Sequence, residues 1–360
     1  METKAAGRKK RICLVFCGGT IAMMKDPKTG ALAPAKSAEE LLALVPEVKN
    51  LVDVDIVEVV NKDSSDMTPA DWTKTAISIY ERYNDYDGFV VTHGTDTMAY
   101  TGSALSYAFG NKLNKPIVLT GSQAEPDAIG TDAKFNLANA FRVVTTDFAE
   151  VMISFGHYVY RAVRSDKRHE SDFNAFMSPA FPELAYLRSQ IQWSQFAKKI
   201  RTYGNPDLDF IPEFSPGVLN VRLNAGLTPS MLDLLIDENK IEGIIFESLG
   251  AANVPGACIP SIEKAVKYNI PVLVTSPFVG GTTFGMGTYQ AGLNAKKAGA
   301  MPTGDMTFPA ATVKLMWILK QIDKKIESGE LKEKDKIPVV KDAFQRNYVG
   351  EMTMGAEGSL

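Results

Sequence analysis

The sequence predicts an α/β protein: a larger N-terminal, mostly parallel sheet flanked by helices, followed by a smaller C-terminal α/β domain. Three observations lead there. Short apolar, β-branched runs alternate with helical periodicities, the pattern of parallel strands joined by right-handed crossovers. The chain has 360 residues, beyond the length at which a single core usually stops growing. Residues 203–217 are rich in Pro and turn formers and mark a linker. The expected domains are residues 10–203 and 218–360, with the linker at 204–217.

Ile12 to Cys17 reads as the first buried strand and ends in Gly18-Gly19-Thr20-Ile21-Ala22. The paired glycines permit a tight turn or close approach to a ligand. A phosphate loop is excluded because no Lys-Ser/Thr follows, and no G-x-G-x-x-G can be written here. Lys25 to Gly30 is turn chemistry, so residues 23–36 are expected to be a mobile loop. Ser37 with Glu40 forms a capping box for a helix from Ala38 to Leu44. Val52 to Val60 alternates as a strand and ends in Asn61-Lys62-Asp63-Ser64-Ser65-Asp66; Thr68-Pro69 opens a helix through Tyr83.

Gly88 to Val91 is apolar enough for a central parallel strand. It stops in His93-Gly94-Thr95-Asp96-Thr97, and a helix begins at Met98. Helix capping accounts for one hydroxyl or Asp in such a turn, not for the whole block. Pro116 to Thr120 is the next strand, ending in Gly121-Ser122-Gln123. Asn136 to Val144 reads as a helix and Glu150 to Phe155 as a strand. Tyr158 to Glu170, with Arg161, Arg164, Lys167 and Arg168, reads either as a solvated basic turn or as the source of a functional Lys167. Beyond the linker, strands fall at 218–221, 244–246 and 272–274, and helices at 228–237, 259–268 and 310–322. The charge run 320–336 reads as a frayed helix and solvated loop.

Composition narrows the function classes. Net charge is -3, which gives no basic footprint for nucleic acid or an anionic membrane. No apolar run approaches the roughly 20 residues of a membrane helix, and the run after the basic N-terminus is too short for a signal-peptide core. Cys13, Cys17 and Cys258 are too few and scattered for a disulfide framework or a zinc site. A reduced, cytoplasmic protein is the expectation.

Four strand ends, at Thr20, Ser64, Thr95 and Ser122, deliver small hydroxyls to the side of an open sheet where ligands bind. A Thr hydroxyl attacks only when a base takes its proton and donors stabilise the oxyanion. A Thr–Lys–Asp set fits that need, with a desolvated Lys as base and the turn amides as donors. Serines and Asp96 suit a small zwitterion, carboxylate on hydroxyls and ammonium on Asp96. This chemistry favours acyl transfer from a small amide or ester to water.

These residues resemble the bacterial-type L-asparaginases. Gly88 to Met98 matches their second signature position for position, and Cys17-Gly18-Gly19-Thr20-Ile21-Ala22 is similar to their first. Gly121-Ser122-Gln123, Asp305-Met306-Thr307 and the tail Asn347 to Thr353 look like the cytoplasmic type I branch, and the likeness runs from about residue 10 to residue 355. The resemblance implies Thr20 as nucleophile and Thr95, Lys167 and Asp96 as a second triad. It implies that Ser64 and Ser65 bind the substrate carboxylate, that Ser122 contacts the amide, and that Asn253 approaches from a neighbouring subunit. It further implies a small amino-acid amide as substrate, no metal or organic cofactor, and a homodimer or homotetramer.

Two departures stand out. Cys17 replaces the usual Thr and reads as a packed strand-end residue. The family's lid Tyr, just after the Gly of the turn, is missing: Gly30 is followed by Ala31-Leu32-Ala33-Pro34. A shifted alignment, Tyr160 or a partner's Tyr289 as substitute, or reduced or redirected activity are the alternatives. The expected reaction is hydrolysis of L-asparagine. Glutamine or another small amide is the second reading, since one methylene is discriminated by only about 1–3 kcal/mol. An impaired amino-acid-binding homologue or amidotransferase partner is the third. The related transfer-RNA amidotransferase subunit typically adds an N-terminal domain not recognised here, so a stand-alone hydrolase is expected.

Overall fold

The computed structural model describes residues 8–26, 28–34, 36–199, 207–237 and 241–354. Part of the expected linker (204–206), the expected end of the first domain at 203, and the tail 355–360 lie outside them. The chain divides into two compact units: Met1–Ser178 with Pro182–Pro212, and Pro179–Phe181 with Glu213–Leu360.

The first unit is built on β1 (Lys10–Gly18), a hairpin of β2 (Met23–Lys25) and β3 (Leu32–Pro34), and then β4 (Val52–Lys62), β5 (Gly88–Thr92), β6 (Ile117–Thr120) and β7 (Val151–Phe155). Next come β8 (Tyr158–Arg161), the short pair β9 (Asp166–Lys167) and β10 (Phe176–Met177), then β11 (Ala185–Leu187) and β12 (Ile191–Trp193). Among the described residues eight strands form one sheet in the order β12-β11-β8-β7-β6-β5-β1-β4. The five from β7 to β4 run parallel, and β8, β11 and β12 extend the β7 edge antiparallel. Every residue of β5, β6 and β7 is buried, which is why these strands read as unbroken apolar runs rather than alternating ones. β4 lies at the sheet edge and keeps an alternating pattern.

Helix α1 (Ala38–Ala43) carries the expected capping box, with the Ser37 side chain accepting from the Glu40 amide. Helices α2 (Pro69–Glu81) and α3 (Met98–Phe109) pack on each other, and α4 (Ala133–Val144) packs on β5, β6 and β7. Counting only the parallel strands, the chain visits them as second, first, third, fourth, fifth across the sheet. The order reverses between β1 and β5, and ligands of open α/β sheets bind at such a switch point, outside the carboxyl ends of the strands.

Two expectations are corrected here. Within the expected loop, Met23–Lys25 and Leu32–Pro34 pair as a hairpin with the register Met23↔Pro34, Met24↔Ala33 and Lys25↔Leu32. Asp26 organises the reversal by accepting from the amides of Lys28 and Thr29, and Gly30 takes the positive φ of 72° that closes it. The stretch 158–170 is a solvated turn only at its end, where Arg168 and Glu170 are exposed. Arg161 is buried and forms a two-armed ion pair with Glu150, and Arg164 is buried as well, because β8 joins the sheet.

Among the described residues the second unit has four parallel strands in sequential order: β13 (Val218–Arg222), β14 (Gly243–Glu247), β15 (Val272–Thr275) and β16 (Met301–Pro302). Its helices are α5 (Pro229–Asp237), α6 (Ile259–Lys267), α7 (Gln290–Lys297), α8 (Phe308–Glu327) and α9 (Lys336–Gln345). Leu232, Ile236, Phe246, Ile262, Val272 and Ala295 share one apolar core. The charge run is continuous helix as far as Glu327 rather than frayed, and α9 follows it.

Lys314 of α8 has a fully buried side chain, 2.7 Å from the equally buried Glu351. The ammonium also donates to the carbonyl of Arg346, and Glu351 accepts from the amides of Tyr348 and Val349. Burial lowers the affinity of Lys314 for its proton, opposed by the Glu351 charge. The pair therefore clasps the C-terminal turn onto α8. Removing one partner leaves a buried charge alone, so Glu351→Leu is expected to cost about 3–5 kcal/mol, whereas Lys314→Met with Glu351→Leu recovers most of it. Chemical denaturation of the two variants measures both.

Candidate active site

The site grows from one steric fact. Gly19, at φ 91°, lies so close to the loop after β5 that a Cβ there would fall 2.2 Å from the Gly94 amide nitrogen. A Cβ on Gly94 would fall 2.6 Å from the Ser64 Oγ, and one on Gly121 2.2 Å from the His93 carbonyl oxygen. The turns after β1, β4, β5 and β6 are thus pressed together at one corner, and side-chain-free positions allow the contact.

Polar groups behind these turns hold their shape. Asp63 accepts from the amide and hydroxyl of Ser65 and supports the turn Ser64–Asp66. Asp132 accepts from the amides of Gln123 and Ala124, and Asn136 donates to the Gly121 carbonyl and to Asp132. The fully buried His93 donates from Nδ1 to the Gly94 carbonyl at 2.7 Å, so Nε2 is the acceptor for the Thr101 hydroxyl at 2.8 Å. Burial pushes its pKa down to about 4, which keeps the ring neutral.

The structure brings three expected residues into direct contact. Lys167 Nζ donates to Thr95 Oγ1 at 2.7 Å and to Asp96 Oδ1 at 2.6 Å. Thr95 is buried and Lys167 largely so, while the Asp96 side chain is 63% exposed. Lys167 sits on β9, held by pairing with Phe176 on β10. None of the hydroxyls in the block after β5 caps α3: Thr97 occupies the cap position without a capping bond and donates instead to the Ser64 carbonyl at 2.7 Å.

Thr20 directly follows Gly19 and is partly exposed, and its hydroxyl has no hydrogen-bond partner among the described residues. Ser64 is buried at the adjoining turn and Ser65 is exposed beside it. Ser122 is fully buried, and its hydroxyl donates to the Ala124 carbonyl at 2.6 Å. Asn253 belongs to the second unit, where its backbone bridges to Leu249 and its Oδ1 is buried without a partner among the described residues.

Three further residues sharpen the picture. Cys17 is buried, in contact with the Thr75 hydroxyl, and burial pushes its thiol up to about 12; it is a packing residue. Tyr160 does not stand in for the missing lid Tyr, because its hydroxyl is buried and donates to the Phe176 carbonyl. Gln123 was given no role by sequence reasoning, although it ends the Gly-Ser-Gln turn: its Oε1 accepts from the Thr95 hydroxyl at 3.0 Å. The β2–β3 hairpin is tied to the turn after β6 by Lys25–Glu125 at 3.1 Å, and Lys36 just after the hairpin reaches Asp127 at 3.2 Å. The described residues contain no cluster of three or more His, Cys, Asp or Glu suited to a metal.

Fold and site define a class: a doubly wound α/β amidohydrolase with a second α/β unit. An asparaginase N-terminal model matches residues 11–199, and a glutaminase/asparaginase C-terminal model matches 218–330. The chain belongs to the asparaginase family. It is 32% identical over 347 residues to the L-asparaginase of Thermococcus kodakarensis, covering 95% of this chain and 99% of that one. It is also 34% identical over 365 residues to a glutamyl-tRNA(Gln) amidotransferase subunit of Aeropyrum pernix, covering 98% of this chain and 82% of that one. Among solved structures, the thermostable L-asparaginase from Thermococcus kodakarensis superposes with TM-score 0.84 at 30% identity, over 96% of this chain and all of that one. L-asparaginase I from Vibrio cholerae gives 0.81 at 30% identity, over the same shares.

The neutral His93 links this corner to pH. Its folded pKa of about 4 lies below the ordinary value of 6.5, so the unfolded chain binds the extra proton first. The stability it contributes is full above that ordinary value and is lost as pH falls, by roughly 3 kcal/mol once its folded pKa is reached. Urea midpoints compared between the protein and His93→Asn over that window should show the steeper decline in the unsubstituted protein.

Proposed function

We propose that this chain hydrolyses the side-chain amide of L-asparagine to L-aspartate and ammonia. The observation that carries the reading is the Lys167–Thr95–Asp96 contact at the end of β5, beside the Gly19-Thr20 turn. In this mechanism Thr20 Oγ attacks the carboxamide carbon. Its proton passes through the Thr95–Lys167 pair to the leaving nitrogen, the C–N bond breaks, and ammonia departs. Water then cleaves the Thr20 ester, giving aspartate and restoring the hydroxyl. Turn amides around Gly19 and Gly94 are suited to the developing oxyanion.

Ser64 and Ser65 are assigned to the substrate carboxylate, Asp96 to its ammonium and Ser122 to the amide side. Asn253 is assigned to the site of another copy in a homodimer or homotetramer. No metal or organic cofactor takes part in the steps proposed. A cytoplasmic enzyme is proposed on the likeness to the type I branch. No helix of the described residues is long and apolar enough to cross a membrane.

A second reading, in which the chain serves amidotransfer or a different small amide, is favoured by the relatives named as amidotransferase subunits and by the missing lid Tyr. Ammonia release from asparagine, glutamine and other small amides separates the readings; aspartate binding by calorimetry with no release from any amide overturns the hydrolase. Thr95→Ala and Lys167→Met are each expected to lower turnover of asparagine by about 100-fold or more while leaving the unfolding transition near that of the parent. Wild-type turnover in both variants removes the triad.

A further inference from the structure

We propose that Gln123 is a positioning residue that sets the direction of the Thr95 hydroxyl proton, turning it away from Lys167. The inference rests on the triad reading above and adds a residue to it. The orientation of the Gln123 amide follows from its neighbours. Its Nε2 faces two acceptors, the carbonyls of His169 at 3.2 Å and Asp172 at 3.3 Å, so the nitrogen must lie there. Its Oε1 consequently faces Thr95, at 3.0 Å. The other end of the residue is anchored too, because its backbone amide donates to both oxygens of Asp132. A side chain held at three points presents one fixed acceptor to a hydroxyl that is otherwise free to rotate.

The consequence is chemical. With its proton on Gln123, Thr95 offers Lys167 only lone pairs, and a lone pair accepts from an ammonium but gives a neutral amine nothing. Thr95 and Asp96 thus each present an acceptor to the Lys167 ammonium, Thr95 because Gln123 holds its proton and Asp96 directly at 2.6 Å. On its own segment the ionisable residues are Asp166, whose carboxylate accepts from the Lys167 amide, then Arg168, His169, Glu170 and Asp172. The residues of β10 opposite, Phe176 and Met177, carry no charge. For Lys167 to take the Thr95 proton, the hydroxyl must first leave Gln123.

The test is the ascending limb of kcat against pH for asparagine hydrolysis, in which the active form has neutral Lys167. Gln123→Met keeps the length of the side chain and removes the acceptor, so neutral Lys167 gains the Thr95 proton and the limb moves to lower pH by about 0.4–1 unit. Gln123→Glu keeps acceptors toward Thr95 and adds a negative charge, so the limb moves to higher pH. A merely structural role would reduce the plateau in both variants without moving their limbs in opposite directions. Limbs that stay put, or move the same way, overturn the proposal; if the Met variant does not fold, an unmoved or downward limb in the Glu variant does so alone. Lys167→Met, assayed beside them, keeps the two ideas apart. If it is inactive while the Gln123 limbs are unmoved, only Gln123 is wrong. If it is fully active, the triad falls and this inference with it.

Discussion

Contact between Gly19 and Gly94 is the constraint on which the first unit's chemistry depends. Those two residues follow β1 and β5, the pair of strands between which the sheet reverses its winding order. A switch point ordinarily leaves a crevice, because the connections leave in opposite directions. Here the crevice is narrowed until backbone meets backbone, with no room for a Cβ on either side. The residues immediately after the glycines, Thr20 and Thr95, are thereby delivered to one place from strands that are distant in sequence but adjacent in the sheet.

Rigidity at that corner comes from groups that face inward. Asp132, Asn136 and His93, all buried, satisfy turn amides and carbonyls from behind with directed bonds, and the half-buried Asp63 does the same for Ser65 nearer the surface. Buried polar networks of this kind are tolerated when every member is paired. The hydroxyls on the other side are spared from capping duty, which explains why so polar a turn can precede α3 without donating to it. A frame set by backbone and inward carboxylates tolerates different outer residues. That suits a family whose members are named both as asparaginases and as amidotransferase subunits.

The second unit solves a different problem. Among the described residues its four strands run in sequential order with no reversal, so they form no switch point. Its most costly feature is the ion pair of Lys314 and Glu351, and the compensation is local: the carboxylate gathers two amides of the C-terminal turn while the ammonium takes a carbonyl. Charge here organises the chain terminus instead of catalysing anything.

By itself the sequence determined the parallel strands of the first unit and β13 to β15 of the second, most helices between them and the hydroxyl turns at their ends, because buried parallel strands and capped helices leave strong local signals in apolar runs, Pro, Gly and Ser-Glu pairs; it missed α7 and the two-residue β16. It could not decide the β2–β3 hairpin, the short antiparallel strands β8, β11 and β12, or α9, since these elements are short and mix apolar with polar residues, so none of them carries a clear period. Arg161 looked solvated because its partner, Glu150, is visible only once β8 lies beside β7. The contact of Lys167 with Thr95 spans 72 positions, and the place of Gln123 between Thr95 and the His169 and Asp172 carbonyls depends on three separate loops. Residue types and turns are local properties of the chain; which hydroxyl meets which amine is set by sheet order, and that belongs to the tertiary structure.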